Sequence, residues 1–293
     1  MSHLTPVLDL GELSGGPVLL FGGPYGNLQA TEALFSASRD LRIPKERRIC
    51  TGDVVAYCAD AQACVDQVRD QAQATVMGNC EESVGFGLDD CGCGYEDGTA
   101  CDLLAKSWYD HAKASVNEAG KAWMRDLPRL ITFTVNGFRV AVIHGGVSLI
   151  NQFVFESESE DEIEAQIAAL SGLQPDCVVG GHAGIPFARC TKDVLWVNAG
   201  VIGMPANDGT PRTWFATLKA DDEALRVDFH ELDYDHATAG NALIAAGLPD
   251  DYAKTLSNGL WPSLDVLPRA EKAATGQKIT LNPVLLSKNR TAA

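Results

Sequence analysis

A chain of 293 residues, 46% hydrophobic and 21% charged, has material for a sizeable core, and no apolar run approaches the ~20 residues that span a bilayer. Its formal net charge is −16, and the densest basic cluster, Lys45-Glu46-Arg47-Arg48, is short and interrupted. A nucleic-acid polymer is therefore disfavoured as a partner, but a small phosphorylated substrate is not, because a bound cation reverses the local field.

Residues 1–16 carry no basic start followed by an apolar segment and read as a short loose arm. Nine cysteines, an odd number without an export signal, point to a reducing cytoplasm rather than a disulfide framework. Val18-Leu19-Leu20-Phe21 reads as a buried strand, and Gly22 to Gly26 as a sharp turn. Asn27 then caps a helix with the apolar face Ala30, Ala33, Leu34, Ala37 and Leu41, which Pro44 stops. Arg48 to Thr51 is a second strand, followed by Gly52-Asp53. Ala61, Cys64, Val65 and Val68 fall at helical spacing, so Cys64 belongs to a core face, and Cys50 and Cys177 sit in or beside apolar strands. Residues 74–77 form a third strand that runs into Gly78-Asn79-Cys80-Glu81.

Residues 83–101, rich in Gly, Asp and Cys, read as a long loop, with helices across 102–114 and 118–126. Asn136-Gly137 between apolar runs 131–135 and 138–143 is a strong hairpin signal, and the second run ends in His144-Gly145-Gly146. The acidic run from Glu156 to Glu164 is a solvated start to a helix over 160–170. Strands over 177–179 and 194–197 end in Gly180-Gly181-His182 and Asn198-Ala199-Gly200. A hairpin over 214–218 and 225–232 and a helix near 238–246 follow. This β-loop-α order implies a layered α/β fold with active loops at the strand ends.

Four strands thus end in a glycine beside a polar residue able to bind a metal: Gly52-Asp53, Gly78-Asn79, His144-Gly145 and Gly181-His182. Each dipeptide alone is ordinarily a turn or a packed histidine. The set of one Asp, one Asn and two His suits one divalent or trivalent transition ion, Mn, Fe, Zn or Ni, better than calcium. His111 and His230 have no motif around them and read as packing residues.

The series Gly26-Asn27, Gly52-Asp53, Gly78-Asn79, His144-Gly145, Gly181-His182 and Asn198-Ala199-Gly200 resembles the signature of the calcineurin-like metallophosphoesterase superfamily, in its compact bacterial and archaeal phosphodiesterase-like branch. The resemblance runs from about Val18 to about Leu232. It implies a four-layer αββα sandwich of two packed mixed β-sheets flanked by helices, and hydrolysis of phosphomonoesters or phosphodiesters, as a phosphatase or a phosphodiesterase, at a two-metal centre. The domain division it implies is an arm over 1–16, a phosphoesterase-like domain over 17–232 and a C-terminal helical extension over 233–293. Apolar residues of that extension pack either on the domain or on a second copy in a homodimer.

The family's first motif, Asp-x-His-Gly-Asn, reads Gly23-Pro24-Tyr25-Gly26-Asn27 here, and its last, Gly-His-x-His, reads Gly181-His182-Ala183-Gly184. Both departures remove ligands of the same metal. The resemblance therefore implies a mononuclear centre held by Asp53, Asn79, His144 and His182, where an activated water attacks phosphorus. Tyr25 either fills the vacated space or hydrogen-bonds a phosphoryl oxygen, and Asn27 and Arg212 are candidates for reading the substrate. Cys80 replaces a family histidine that assists the leaving group, a role for which a thiol is a weak donor. Cys91, Cys93 and Cys101, in a loop able to fold over the crevice, either hold a second, thiolate-bound metal, form a disulfide or remain plain thiols. Two functions follow: a metal-dependent phosphoesterase, or an inactive relative that binds or senses metal or redox state.

Overall fold

The computed structural model describes residues 6–95 and 98–287; residues 1–5 of the arm, 96–97 of the cysteine loop and 288–293 of the extension lie outside it. Its strands are β1 (Val7–Glu12), β2 (Val18–Phe21), β3 (Arg48–Cys50), β4 (Ala74–Thr75), β5 (Leu130–Val135), β6 (Phe138–Val142), β7 (Cys177–Gly180), β8 (Phe187–Thr191), β9 (Val194–Asn198), β10 (Thr213–Ala220), β11 (Ala224–Leu232) and β12 (Val284–Ser287). Its helices are α1 (Leu28–Asp40), α2 (Ala61–Gln71), α3 (Asn79–Phe86), α4 (Ala100–Ser115), α5 (Glu118–Arg125), α6 (Glu160–Ala169), α7 (His236–Ala245), α8 (Asp250–Asn258) and α9 (Arg269–Ala273).

The period-2 alternation of strand side chains sets the layers. In β2, Val18 and Leu20 point into one core while Leu19 and Phe21 point into another. Val140 and Val142 of β6, Cys177 and Val179 of β7, and Leu195 and Val197 of β9 meet Val18 and Leu20 in the same inner core. Their neighbours Ala141, Val178 and Trp196 turn outward to Ile163 of α6. Leu19 and Phe21 turn outward to Leu34 and Phe35 of α1, Val65 and Val68 of α2 and Trp108 of α4. Two mixed six-stranded sheets result, ordered β1-β5-β6-β7-β9-β8 and β12-β11-β10-β2-β3-β4, packed face to face with helices outside both. This is the αββα sandwich. The hairpin at Asn136-Gly137 forms, with both residues at positive φ (47° and 74°), as a tight primed turn requires.

Several segments differ from the sequence reading. Residues 7–12 of the arm form β1, a parallel edge strand that occupies the open hydrogen-bonding edge of β5; its side chains are mostly exposed, so it carries little apolar signal. The third strand shortens to two residues, and residues 83–86, read as the start of the long loop, belong to the helix over Asn79–Phe86. Glu81 accepts from the Gly78 N–H (2.9 Å) at the start of α3, and Gly87 closes its end at φ 70°. The extension is not wholly helical: β12 pairs with β11. Its apolar residues Trp261, Leu264 and Leu267 pack on the chain's own domain against Phe155 and Ala183. Among the described residues no helix is long and apolar enough to cross a membrane.

β2, β3 and β4 run parallel in one sheet, and β6, β7 and β9 run parallel in the other. Their carboxyl ends deliver Asp53 and Asn79 from one sheet, and His144 and His182 from the other, to a common rim. The inner core is what holds those two rims in register. Leu20→Ala, in that core, is expected to cost about 2–5 kcal/mol of unfolding free energy. Leu8→Ala on exposed β1 should cost under about 0.5 kcal/mol. Urea denaturation of the two variants checks the contrast.

Candidate metal centre

Asp53, His144 and His182 are buried, and one donor atom from each lies within 4.8 Å of the others. His144 Nε2 is 3.3 Å from Asp53 Oδ2, 3.2 Å from His182 Nδ1 and 3.1 Å from Asn79 Oδ1. His182 Nδ1 is 3.8 Å from the same Asp53 oxygen. Asp53 (φ 57°) and His182 (φ 52°) both sit in the left-handed region, a strain the surrounding glycine turns hold in place. The approach is close enough that a Cβ on Gly78 would lie 2.4 Å from Asp53 Oδ1.

Neighbours fix the direction of three of the four donors. The Nδ1–H of His144 donates to the Thr51 carbonyl at 2.6 Å, which leaves its Nε2 as a lone pair aimed at the centre. Asn79 donates its Nδ2 to the Cys91 carbonyl at 3.0 Å, which turns its Oδ1 the same way. Asp53 Oδ1 accepts from the Cys80 N–H (3.2 Å) at the start of α3, leaving Oδ2 for the cluster. His182 Nε2 is buried without a hydrogen-bond partner, although the Asn151 backbone lies near enough to favour its protonation. Asn198 donates to the Gly181 carbonyl at 2.9 Å and braces the His182 turn. Asp53 Oδ2, Asn79 Oδ1, His144 Nε2 and His182 Nδ1 therefore face one another, an arrangement that calls for positive charge among them, as a proton or a metal ion. The donor set fits a transition ion.

Electrostatics agree with that need. Burial lowers the proton affinity of His144, but the adjacent Asp53 carboxylate outweighs it, and the imidazole holds its proton above the ordinary range. Burial opposes ionisation of Asp53, yet the two imidazoles keep its carboxyl far below the usual value. His182, buried and beside His144, is pushed down. Glu81 is pushed up to about 7 by burial and by Asp53. Its carboxylate brackets the site, accepting from the N–H groups of Asp53 (2.7 Å), Val54 (2.7 Å) and Gly78 (2.9 Å).

The other sequence candidates separate cleanly. Tyr25 lines a cleft beside His182 and stays a neutral phenol, because burial and then Asp53 raise its pKa. Asn27 does not face a substrate: it caps α1 through Ala30 and donates to the Gly203 carbonyl. Arg212 does not line that cleft; it pairs with buried Asp208 (3.0 Å) and lies 4.5 Å over the Trp214 ring. Cys80 is buried, does not line the cleft, and its thiol is pushed up by burial and Asp53. Cys91 and Cys93 are joined by a disulfide, and Cys101 stands apart on α4 at the cleft wall. Among the described residues no cysteine joins a grouping of three metal donors. The loop does fold over the crevice, through the Cys91 carbonyl. His111 and His230 bond Ala59 and Thr217 as packing residues.

Thr51, Glu81, Phe153 and Trp261 were not among the sequence candidates. Thr51 acts through a carbonyl, which has no residue-specific signal. Glu81 stands three residues after Gly78, the spacing of a helix-capping acid. The Phe153 ring lies tilted against the His182 ring, 4.2 Å between centroids. At the positions of the vacated ligands, a Cβ on Gly23 would lie 2.6 Å from Tyr25 Cζ and from Val201 Cγ1. A Cβ on Gly184 would lie 3.3 Å from Trp261 Cζ2.

The family model described as the calcineurin-like phosphoesterase superfamily domain matches residues 27–223. The uncharacterized protein MJ0912 of Methanocaldococcus jannaschii is 23% identical over 243 residues, 77% of this chain and 91% of that protein. Hypothetical protein PH1004 from Pyrococcus horikoshii shares the fold with a TM-score of 0.70 at 17% identity, covering 84% of this chain and 99% of that one. A metallophosphoesterase from Sphaerobacter thermophilus does so with a TM-score of 0.65 at 19% identity, covering 84% and 100%.

Two outcomes follow from the geometry. Asn198→Ala should lower metal affinity about 10- to 100-fold while leaving stoichiometry intact, because it releases the His182 turn without removing a donor. Competition with a chromogenic chelator measures it. An ion must also displace the proton on His144. Affinity should be full above that raised pKa and fall about tenfold per pH unit below it, starting above the ordinary ~6.5 of histidine. Asp53, ionised throughout, adds nothing to that slope. Metal titrations between about pH 5 and 9 check it.

Proposed function

Since the chain belongs to the calcineurin-like phosphoesterase superfamily, we propose that it hydrolyses a phosphomonoester or phosphodiester at a mononuclear centre held by Asp53, Asn79, His144 and His182. The observation that carries this reading is steric. The side chains that would hold a first metal are absent, and Tyr25, Val201 and Trp261 stand against the glycines that replace them. An ion bound by the remaining four donors would polarise a phosphoryl oxygen and lower the pKa of a water to roughly 7.

The chain's own residues do the rest. His144, through Thr51, and Asn79, through Cys91, present lone pairs without carrying charge. Asp53 supplies the single carboxylate of the donor set, so a divalent ion's +2 with this −1 leaves +1 to attract an anionic ester. Phe153 packs on His182 and keeps bulk water from its ring. Tyr25, a neutral phenol, can donate to a phosphoryl oxygen in the cleft.

A second reading is favoured by one contact. The Cys91 carbonyl that orients Asn79 belongs to a disulfide-bonded pair, which links thiol state to a metal donor in a non-hydrolytic sensor.

Metal analysis after loading with Mn, Fe, Zn or Ni should give one ion per chain, and the loaded protein should turn over chromogenic mono- or diesters. His182→Ala and Asp53→Asn should lose both metal and turnover. Two bridged ions per chain would overturn the mononuclear centre. One ion with no turnover on any ester would leave the sensing reading in place of hydrolysis.

A further inference from the structure

A small cleft, about 70 Å³ in volume, opens against His182. Six aromatic side chains line it: Tyr25, Tyr57, Tyr95, Phe153, Tyr252 and Trp261. Among the described residues its lining holds no Lys, Arg, Asp or Glu, and of Asp53, His144 and His182 only His182 reaches it. Two of its polar atoms satisfy each other, since the Tyr57 and Tyr95 hydroxyls are 2.8 Å apart. The aromatic rings are braced. Tyr57 packs at 4.8 Å from Tyr25 and 5.0 Å from Tyr252, and Trp261 donates its Nε1 to the Pro205 carbonyl at 2.7 Å.

We propose that this cleft binds an uncharged aromatic ester group of the substrate, and that the substrate is a singly charged phosphodiester with one aryl arm. This rests on the hydrolytic reading above for the role of the metal. The charge argument is direct. A centre of net +1 matches one anionic phosphoryl group, and a second phosphoryl group in the cleft would meet no cationic side chain among the described lining residues. The ring argument is equally direct. Flat aromatic walls reward an aromatic guest by stacking and area burial. The C-terminal extension, through Trp261, Pro262, Ser263 and Val266, supplies one wall and so acts in selecting substrate.

Phosphinates test this without turnover, because they are monoanions with no ester bond to cleave. The manganese-loaded full chain should bind methyl(phenyl)phosphinate at least about tenfold more tightly than dimethylphosphinate by calorimetry, about 1.4 kcal/mol. Trp261→Ala should reduce that preference to within about twofold, and Trp261→Phe should keep it, each with one metal per chain. Should Trp261→Ala not fold, Met204→Trp, which fills the cleft, should abolish the preference instead. Equal binding of the two phosphinates by the unaltered protein overturns the proposal, as does a preference that survives Met204→Trp. The two readings fail separately. Selective phosphinate binding without cleavage of any diester removes hydrolysis and leaves the aromatic site. Cleavage with equal phosphinate binding does the reverse.

Discussion

The hydrogen bond from His144 Nδ1–H to the Thr51 carbonyl is the contact on which the site depends. Thr51 follows β3 in one sheet and His144 follows β6 in the other, so this bond closes the rim of the sandwich. It also decides which imidazole nitrogen carries the lone pair. A histidine free to choose its tautomer would present a proton to Asn79 and His182 in part of the population. Here the main chain makes that choice, and a main-chain carbonyl cannot be changed by a side-chain substitution. The strand pairing that places Thr51 is therefore part of the candidate metal site.

The four candidate donors were legible because each is announced the same way: an apolar run, then a glycine next to a polar side chain. The strand rise and the parallel order bring those run ends to one place, so periodicity alone points at the rim. What escaped was the information not written in residue type beside the motif. Arg212 looks like an anion reader until Asp208, only four residues before it, is seen to neutralise it in the same buried layer. Asn27 sits in a motif position, but its amide is used up by the α1 N-terminus and Gly203. β1 hid because an edge strand with exposed side chains has no apolar alternation to read. Trp261 hid because its place beside Gly184 is created by the return of the extension over the domain, a contact between distant parts of the chain.

The cysteines illustrate the same division. Cys50, Cys64 and Cys177 were readable as small core residues, and they are buried. The Cys91 loop was readable as something that could reach the crevice. That it would act through a carbonyl rather than through sulfur was not, because both uses have the same sequence.

Replacement at the vacated metal position is concerted, which bears on whether the change is decay or design. Loss of an acid and two histidines alone would leave a polar hole open to water. Instead Tyr25 and Val201 crowd the space beside Gly23, Trp261 crowds that beside Gly184, and the space that remains is a cleft with aromatic walls. Restoring a side chain at either glycine would meet a ring already packed by others: Tyr25 against Tyr57, and Trp261 against the Pro205 carbonyl. The glycines and the rings thus hold each other in place. One half of the family's rim keeps the donor geometry of a metal centre while the other half has the chemistry of a binding pocket, and His182, which lines both, is the residue that joins them.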